Sequence, residues 1–186
     1  METYDEDKIG RLISWTGENL VYRYGENEVI KFSRLGRIFR RAFKERPDWD
    51  ISVARQFFAD VMVPVRVATL NDGSRKALIQ PFVSGRVLSK KDLADPGILK
   101  GFQGVMGRHT NMTEAGFCPL DLAGGFGFLS GTLSNLYLLD DGSVKVIDTL
   151  LIDLRGTGIW QYALAPLANL AIRRQEAIIR TYDRTK

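Results

Sequence analysis

Three short turn signatures divide this chain, and each stands between two apolar, β-forming runs. Gly25-Glu26-Asn27 separates Leu20–Tyr24 from Glu28–Phe32, Asn71-Asp72-Gly73 splits the stretch 63–83, and Asp141-Gly142 splits 134–149. Residues of these types take the tight or positive-φ conformations that reverse a strand. The hairpins alternate with helical apolar spacing at 34–46, 48–61, 98–116 and in the tail beginning "GIWQYALAP". Pro166 inside that tail is expected to break or kink its helix. The order is that of an α+β chain.

Its 186 residues suffice for one domain or two small lobes. The polar, turn-rich stretch 84–97 reads as a connection between a β-rich part, 1–83, and an α-rich part, 98–186. With 45% hydrophobic and 26% charged residues the composition is that of an ordinary globular protein. No apolar run approaches the ~18–20 residues of a membrane span, and "METYDEDKIG" lacks the basic then apolar order of a secretory signal. A cytoplasmic location is expected, with export as an effector left open. A single cysteine, Cys118, excludes an internal disulfide framework, and a single histidine, His109, disfavours a zinc site.

The net charge of +4 is unevenly spread. In "RLGRIFRRAFKER" (34–46), Arg34, Arg37, Arg40, Arg41, Lys44 and Arg46 stand against Glu45, while Leu35, Ile38, Phe39, Ala42 and Phe43 recur at helical spacing. A basic amphipathic helix is expected, its charged side either plainly solvated or docking an acidic partner or lipid head group. Nucleic acid is disfavoured, because aromatics are not interleaved on the basic face.

Two places carry chemistry. In "SNLYLLDDGSVKVIDT" (134–149), a two-residue turn at Asp141-Gly142 would set Leu138 opposite Lys145, Leu136 opposite Ile147, and Asn135 opposite Asp148. Opposed residues have Cα atoms roughly 4.5–5.5 Å apart. An amide oxygen and a carboxylate so placed suit Mg²⁺, which completes its shell with waters and phosphate oxygens. The plainer alternative is a polar pair capping frayed strand ends. In "TGENLVYRYGENEVIKF" (16–32), Lys31 lies between Ile30 and Phe32, so alternation turns it to the other face of its strand. There it is either a point charge for phosphate or a solvent-facing lysine.

Taken in order, these stretches resemble the protein-kinase-like fold, which includes protein kinases and the aminoglycoside phosphotransferase type. The stretch 16–32 resembles a shortened nucleotide-covering loop, Thr16, Gly17, Glu18 and Asn19, followed by the "V-x-I-K" strand with Lys31 as the phosphate-binding lysine. "LIQPFVSGRVLS" resembles the hinge, with Gln80 at the gatekeeper and Pro81, Phe82 and Val83 at the adenine-contacting backbone. "NLYLLDDGSVKVIDT" resembles the metal-binding hairpin, with Asn135 and Asp148 as the two ligands. The resemblance covers roughly residues 11–150. It implies a bilobal α+β architecture, a β-rich N-lobe with a short helical C-lobe, and ATP and Mg²⁺ as cofactors.

Departures accompany it. The family's catalytic Asp stands five residues before the Asn, where this chain has Ser130. The segment "EAGFCPLDL" resembles the turn that carries this Asp, which makes Asp121 the catalytic candidate and 123–131 an insertion. The family's glutamate partner for the lysine has no clear equivalent. Asp50 is the choice among Glu45, Asp48, Asp50 and Asp60. Residues 149–186 follow Asp148 and "D-T-L" replaces "D-F-G", so the resemblance implies a short C-lobe, as in minimal bacterial kinase-like proteins. The resemblance implies a phosphotransferase to a hydroxyl acceptor, or a pseudokinase acting as a regulatory module. A protein substrate or activating partner would dock on the basic stretch 34–46.

Overall fold

The structure is a computed structural model and describes residues 2–15, 19–33, 46–70, 75–119, 122, 132–148, 151–155 and 159–183. Thr16, Gly17, Glu18, the basic stretch 34–45, the turn at 71–74, Asp121 and the segment 123–131 with Ser130 lie outside the described residues. The chain forms two compact units, Met1–Ser52 with Val63–Val83, and Val53–Met62 with Ser84–Lys186. The architecture is α+β. Among the described residues no helix is long and apolar enough to cross a membrane.

The first unit is built on one sheet. Its strands are β1 (Glu2–Thr3), β2 (Ile9–Trp15), β3 (Asn19–Tyr24), β4 (Glu28–Ser33), β5 (Arg66–Thr69) and β6 (Lys76–Pro81), in the order β1-β5-β6-β4-β3-β2. The hairpin expected around Gly25-Glu26-Asn27 is β3–β4, with Gly25 at φ +57°. Alternation sends Ile30 and Phe32 of β4 into a cluster with Tyr4, Tyr24, Ala68, Ala77 and Ile79. Tyr4 meets Phe32 edge to face at 5.7 Å between ring centres. Arg66 ties β5 to its neighbour β1 and, across β6, to β4, bonding Glu2 at 2.8 Å and both carboxylate oxygens of Glu28. Helix α1 (Arg46–Phe58) starts with a proline and an aspartate, as the exposed N–H groups and dipole of a helix start favour. Its residues up to Ser52 belong to this unit and the rest to the second.

In the second unit the stretch 84–97, read from sequence as a polar connection, contains strand β7 (Gly85–Ser89) and a 3-10 turn over Lys90–Ala94. Asp92 closes that turn by accepting from Ser89 N at 2.8 Å and Ser89 Oγ at 2.9 Å. Helix α2 (Pro96–Glu114) is capped by Asp95, whose carboxylate accepts from Gly97 N and Ile98 N, and is ended by Gly116 at φ +85°. The short strand β8 (Phe117–Pro119) pairs with β11 (Leu151–Asp153), and β7, β9 (Thr132–Leu139) and β10 (Val144–Val146) form a sheet in the order β10-β9-β7. Helix α3 (Ile159–Asp183) runs through Pro166 instead of breaking there. A proline deletes one helical hydrogen bond and leaves those of the flanking turns, and the helix is held further along by Gln175 Nε2 donating to Pro119 O at 2.9 Å.

Two features of this unit carry consequences for stability. At Gly85, φ is +151°, and an added Cβ would overlap Leu138 O and lie 2.9 Å from Leu139 Cα. Only glycine lets β7 approach β9 this closely. On α2, His109 points inward with Phe102, Val105, Met106 and Met112. It is 1% exposed, and neither ring nitrogen has a hydrogen-bond partner among the described residues. Burial pushes its pKa down to about 4.

Gly85→Ala should therefore cost about 2–4 kcal/mol of stability by chemical denaturation. Gly104→Ala, where a Cβ meets nothing within 4 Å, should gain up to about 1 kcal/mol through helix propensity alone. For His109 the unfolded imidazole binds its proton near 6.5 and the folded one near 4. Between those values the unfolded state holds more protons, so stability is full above about pH 6.5 and falls as pH drops towards 4. The loss is about 3 kcal/mol. His109→Leu should flatten the dependence across that window; an unchanged slope would place the acid sensitivity elsewhere.

Candidate functional site

In the first unit Lys31 sits in the middle of β4, opposite Val21 of β3 and Leu78 of β6. It is 6% exposed. Because opposed residues share a face, Lys31 lies on the sheet face away from the Ile30–Phe32 cluster, together with Val29 and the residue paired with Val29, Gln80. Gln80 is buried as well. A buried cation needs a compensating charge or hydrogen bonds. Of the acidic candidates, Asp48 pairs with Lys76, Asp60 accepts from Arg108 at 2.6 Å, and Glu45 lies outside the described residues. Asp50, in α1 within the same unit, is the buried one, at 9% exposure. Asn19, at the end of the covering-loop stretch, opens β3 opposite Ser33.

The segment after Gln80 is more committed than its sequence suggests. Pro81 has no N–H. Phe82 N donates to Asn27 O at 2.8 Å, and the guanidinium of Arg23 lies 3.6 Å over the Phe82 ring. No spacing rule announces the Arg23–Phe82 stack. Its one signal is that Arg23 pairs with Val29, which pairs in turn with Gln80.

In the second unit the hairpin differs from expectation by one residue. β10 pairs with β9 as Val144↔Leu138, Lys145↔Tyr137 and Val146↔Leu136. Asn135 consequently faces Ile147, whose N–H donates to Asn135 O at 3.0 Å, and does not stand opposite Asp148. The reason is the turn. Leu139 N donates to Ser143 O and Gly142 N to Leu139 O, both at 2.9 Å, with Gly142 at φ +82°. Asp140-Asp141-Gly142 is thus a three-residue loop closed by a left-handed glycine, and not a two-residue turn. A one-residue slip moves a strand's side chains to the other face. Leu136, Leu138, Val144 and Val146 are buried on one face, and Asn135 and Tyr137 alternate to the other. Asp148 lies two residues past Val146, where β10 has ended, so its approach to Asn135 depends on the chain leaving the ladder. Both residues are half-buried.

Lys145 Nζ donates to Asp60 O at 2.9 Å and Val146 N to Val61 O at 2.8 Å, which anchors β10 to the turn after α1. Strand β8 ends at Pro119, two residues before Asp121, and Leu122 beyond it is fully buried. Among the described residues no group of three or more His, Cys, Asp or Glu is placed to hold a metal. Two oxygen ligands such as Asn135 and Asp148 fit a cation that takes the remainder of its shell from phosphate and water, as Mg²⁺ does.

No protein-family model matches this sequence, and no curated protein matches it. Among solved structures the chain is similar to the Legionella pneumophila Lpg2603 kinase bound to IP6, with a TM-score of 0.55 and 19% sequence identity. The match covers 87% of this chain and 56% of that kinase, so the chain spans little more than half of the neighbour's length. The likeness is one of fold: this chain has a kinase-like α+β fold.

Proposed function

We propose that the protein is an ATP–Mg²⁺-dependent phosphotransferase acting on a hydroxyl acceptor, a minimal relative in mechanism of the serine/threonine protein kinases. The observation that carries the proposal is Lys31, a lysine 6% exposed in the sheet of a kinase-like fold. Burying an ammonium is costly unless a counter-charge meets it. Lys31 would hold the nucleotide's phosphates with Asp50 as its carboxylate partner, and Thr16–Asn19 would cover them. Gln80, Phe82 and Val83 would take the base. Asn135 and Asp148 would hold Mg²⁺, and Asp121 would orient the acceptor hydroxyl and accept its proton.

In this scheme the protein's contribution is position and charge. Phosphoryl transfer spreads negative charge over the transferred group, and fixed cations beside it lower the barrier without covalent help from the protein. The basic stretch 34–46 would dock a protein substrate or an activating partner. A second reading, a pseudokinase that binds nucleotide without transfer, is favoured by Ser130, which stands where the family's catalytic Asp is expected.

Two measurements test this. ATP with Mg²⁺ at a hundred times Kd should stabilise the chain by about 2.7 kcal/mol in a thermal-shift titration. Asp148→Ala should remove the Mg²⁺-dependent part of that gain. Radiolabelled phosphate should pass to the chain or to a generic hydroxyl acceptor, and Asp121→Ala should abolish transfer while keeping the shift. A shift without transfer in the unmutated chain would favour the pseudokinase, and no shift at all would end the nucleotide reading.

A further inference from the structure

Asp121 and Asp148, proposed above as base and metal ligand, are attached to the same end of one short ladder. β8 pairs with β11 as Phe117↔Asp153, Cys118↔Ile152 and Pro119↔Leu151. Asp121 follows Pro119 by two residues, and Asp148 precedes Leu151 by three. An extended chain spans at most about 3.6 Å per residue, so roughly 7 Å and 11 Å of chain tie the two carboxylates to that end. The register of the ladder therefore limits how they can stand to one another. A slip of one residue would shift one strand against the other by about 3.3 Å. A two-stranded ladder this short is marginal by itself, so its register needs holding from outside the pairing.

The holding contacts lie at the other end. Leu154 N donates to Gly116 O at 2.8 Å, which carries the pairing one step past Asp153. The stem of Arg155 crosses Gly116, where an added Cβ would stand 2.5 Å from Arg155 Cγ and where φ is +85°. The guanidinium then lies 3.9 Å over the Phe117 ring. Its Nε and Nη2 donate to the two carboxylate oxygens of Asp153, both at 3.0 Å. Phe117 is 6% exposed and meets Phe57 of α1 edge to face, with 6.0 Å between ring centres. Because Phe117 and Asp153 are themselves a ladder pair, one side chain grips both strands at once. The stack and the fork both use the planar guanidinium, which a lysine matches only in charge.

We infer that Arg155 is a positioning residue for phosphoryl transfer: it locks the β8–β11 register and so fixes Asp121 relative to Asp148. The inference rests on the phosphotransferase reading above and adds to it a residue that acts through those two carboxylates. Transfer requires the acceptor oxygen and the phosphoryl group to be aligned, and a misplacement of about 1 Å can cost on the order of a hundredfold in rate. Nucleotide binding is less sensitive, because Lys31 belongs to the first unit and the clasp to the second.

The test is radiolabel transfer from ATP and Mg²⁺ by the full chain, to itself or to casein, with kcat and KM for ATP measured separately. Arg155→Ala should lower kcat about tenfold or more and leave KM for ATP within about twofold. Arg155→Lys should recover part of the loss. Phe117→Leu should lower kcat as well, and the double variant should lose no more than the larger single loss, because each change opens the same clasp. Should Arg155→Ala fold poorly, Arg155→Met keeps the stem over Gly116 and removes the stack and the fork. An unchanged kcat in a folded Arg155 variant would overturn the inference and leave the phosphotransferase reading standing. Losses at Arg155 and Phe117 that multiply, or that only follow the fraction of folded chain, would reduce the clasp to an ordinary stabilising contact and overturn it as well. Absence of transfer by the unmutated chain would overturn the phosphotransferase reading, and this inference with it.

Discussion

Between Ile30 and Phe32, both packed in the apolar cluster of the first unit's sheet, stands a lysine that is itself 6% exposed. Lys31 is buried on the opposite face of the same strand, so β4 is covered on both sides. A strand can carry a charge in such a place only where the period of two keeps it away from the apolar cluster and something compensates it. The remainder of the unit is arranged around that demand. β3 and β6 flank β4, Asp50 brings a buried carboxylate into the unit, and Gln80 places an amide on the lysine's face. The other acidic residues of the region are engaged elsewhere, with Asp48 on Lys76 and Asp60 on Arg108.

The second unit depends on close approach of backbones. Gly85 allows β7 to lie against Leu138 and Leu139 of β9, and β10 is fastened on the other side through the loop Asp140-Asp141-Gly142. That loop sets the register, and the register sets which residues face the buried side. Asn135 comes to lie on the face opposite Leu136 and Val146, and Asp148 follows two residues after β10 ends. The two oxygen-bearing residues owe their placement to where pairing stops as much as to how it runs.

Much of this was legible in advance. The α+β class, the β3–β4 hairpin, the face taken by Lys31, the turn at the end of α2 and the polar ends of the second hairpin follow from alternation, turn chemistry and helix-cap rules. Local sequence leaves the register at Asn135 open, because Asp141-Gly142 fits a two-residue turn and Asp140-Asp141-Gly142 a three-residue one equally well. Strand β7 was hidden because "GRVLS" is short and flanked by polar residues, and its partner lies more than forty residues away. Pro166 suggested a break that packing of α3 on β8 overrides.

By itself the sequence determined which segments reverse, which alternate and which wind, since those choices rest on contacts between residues a few positions apart. It also determined the chemical inventory: one strand lysine flanked by apolar residues, one amide and one carboxylate bounding a hairpin, and a single histidine, His109. Tertiary structure alone decided which of three aspartates is buried and which residue Asn135 faces. Those outcomes depend on hydrogen bonds and steric clearances between segments far apart in the chain, as at Gly85 against Leu138, and local preference carries no information about them.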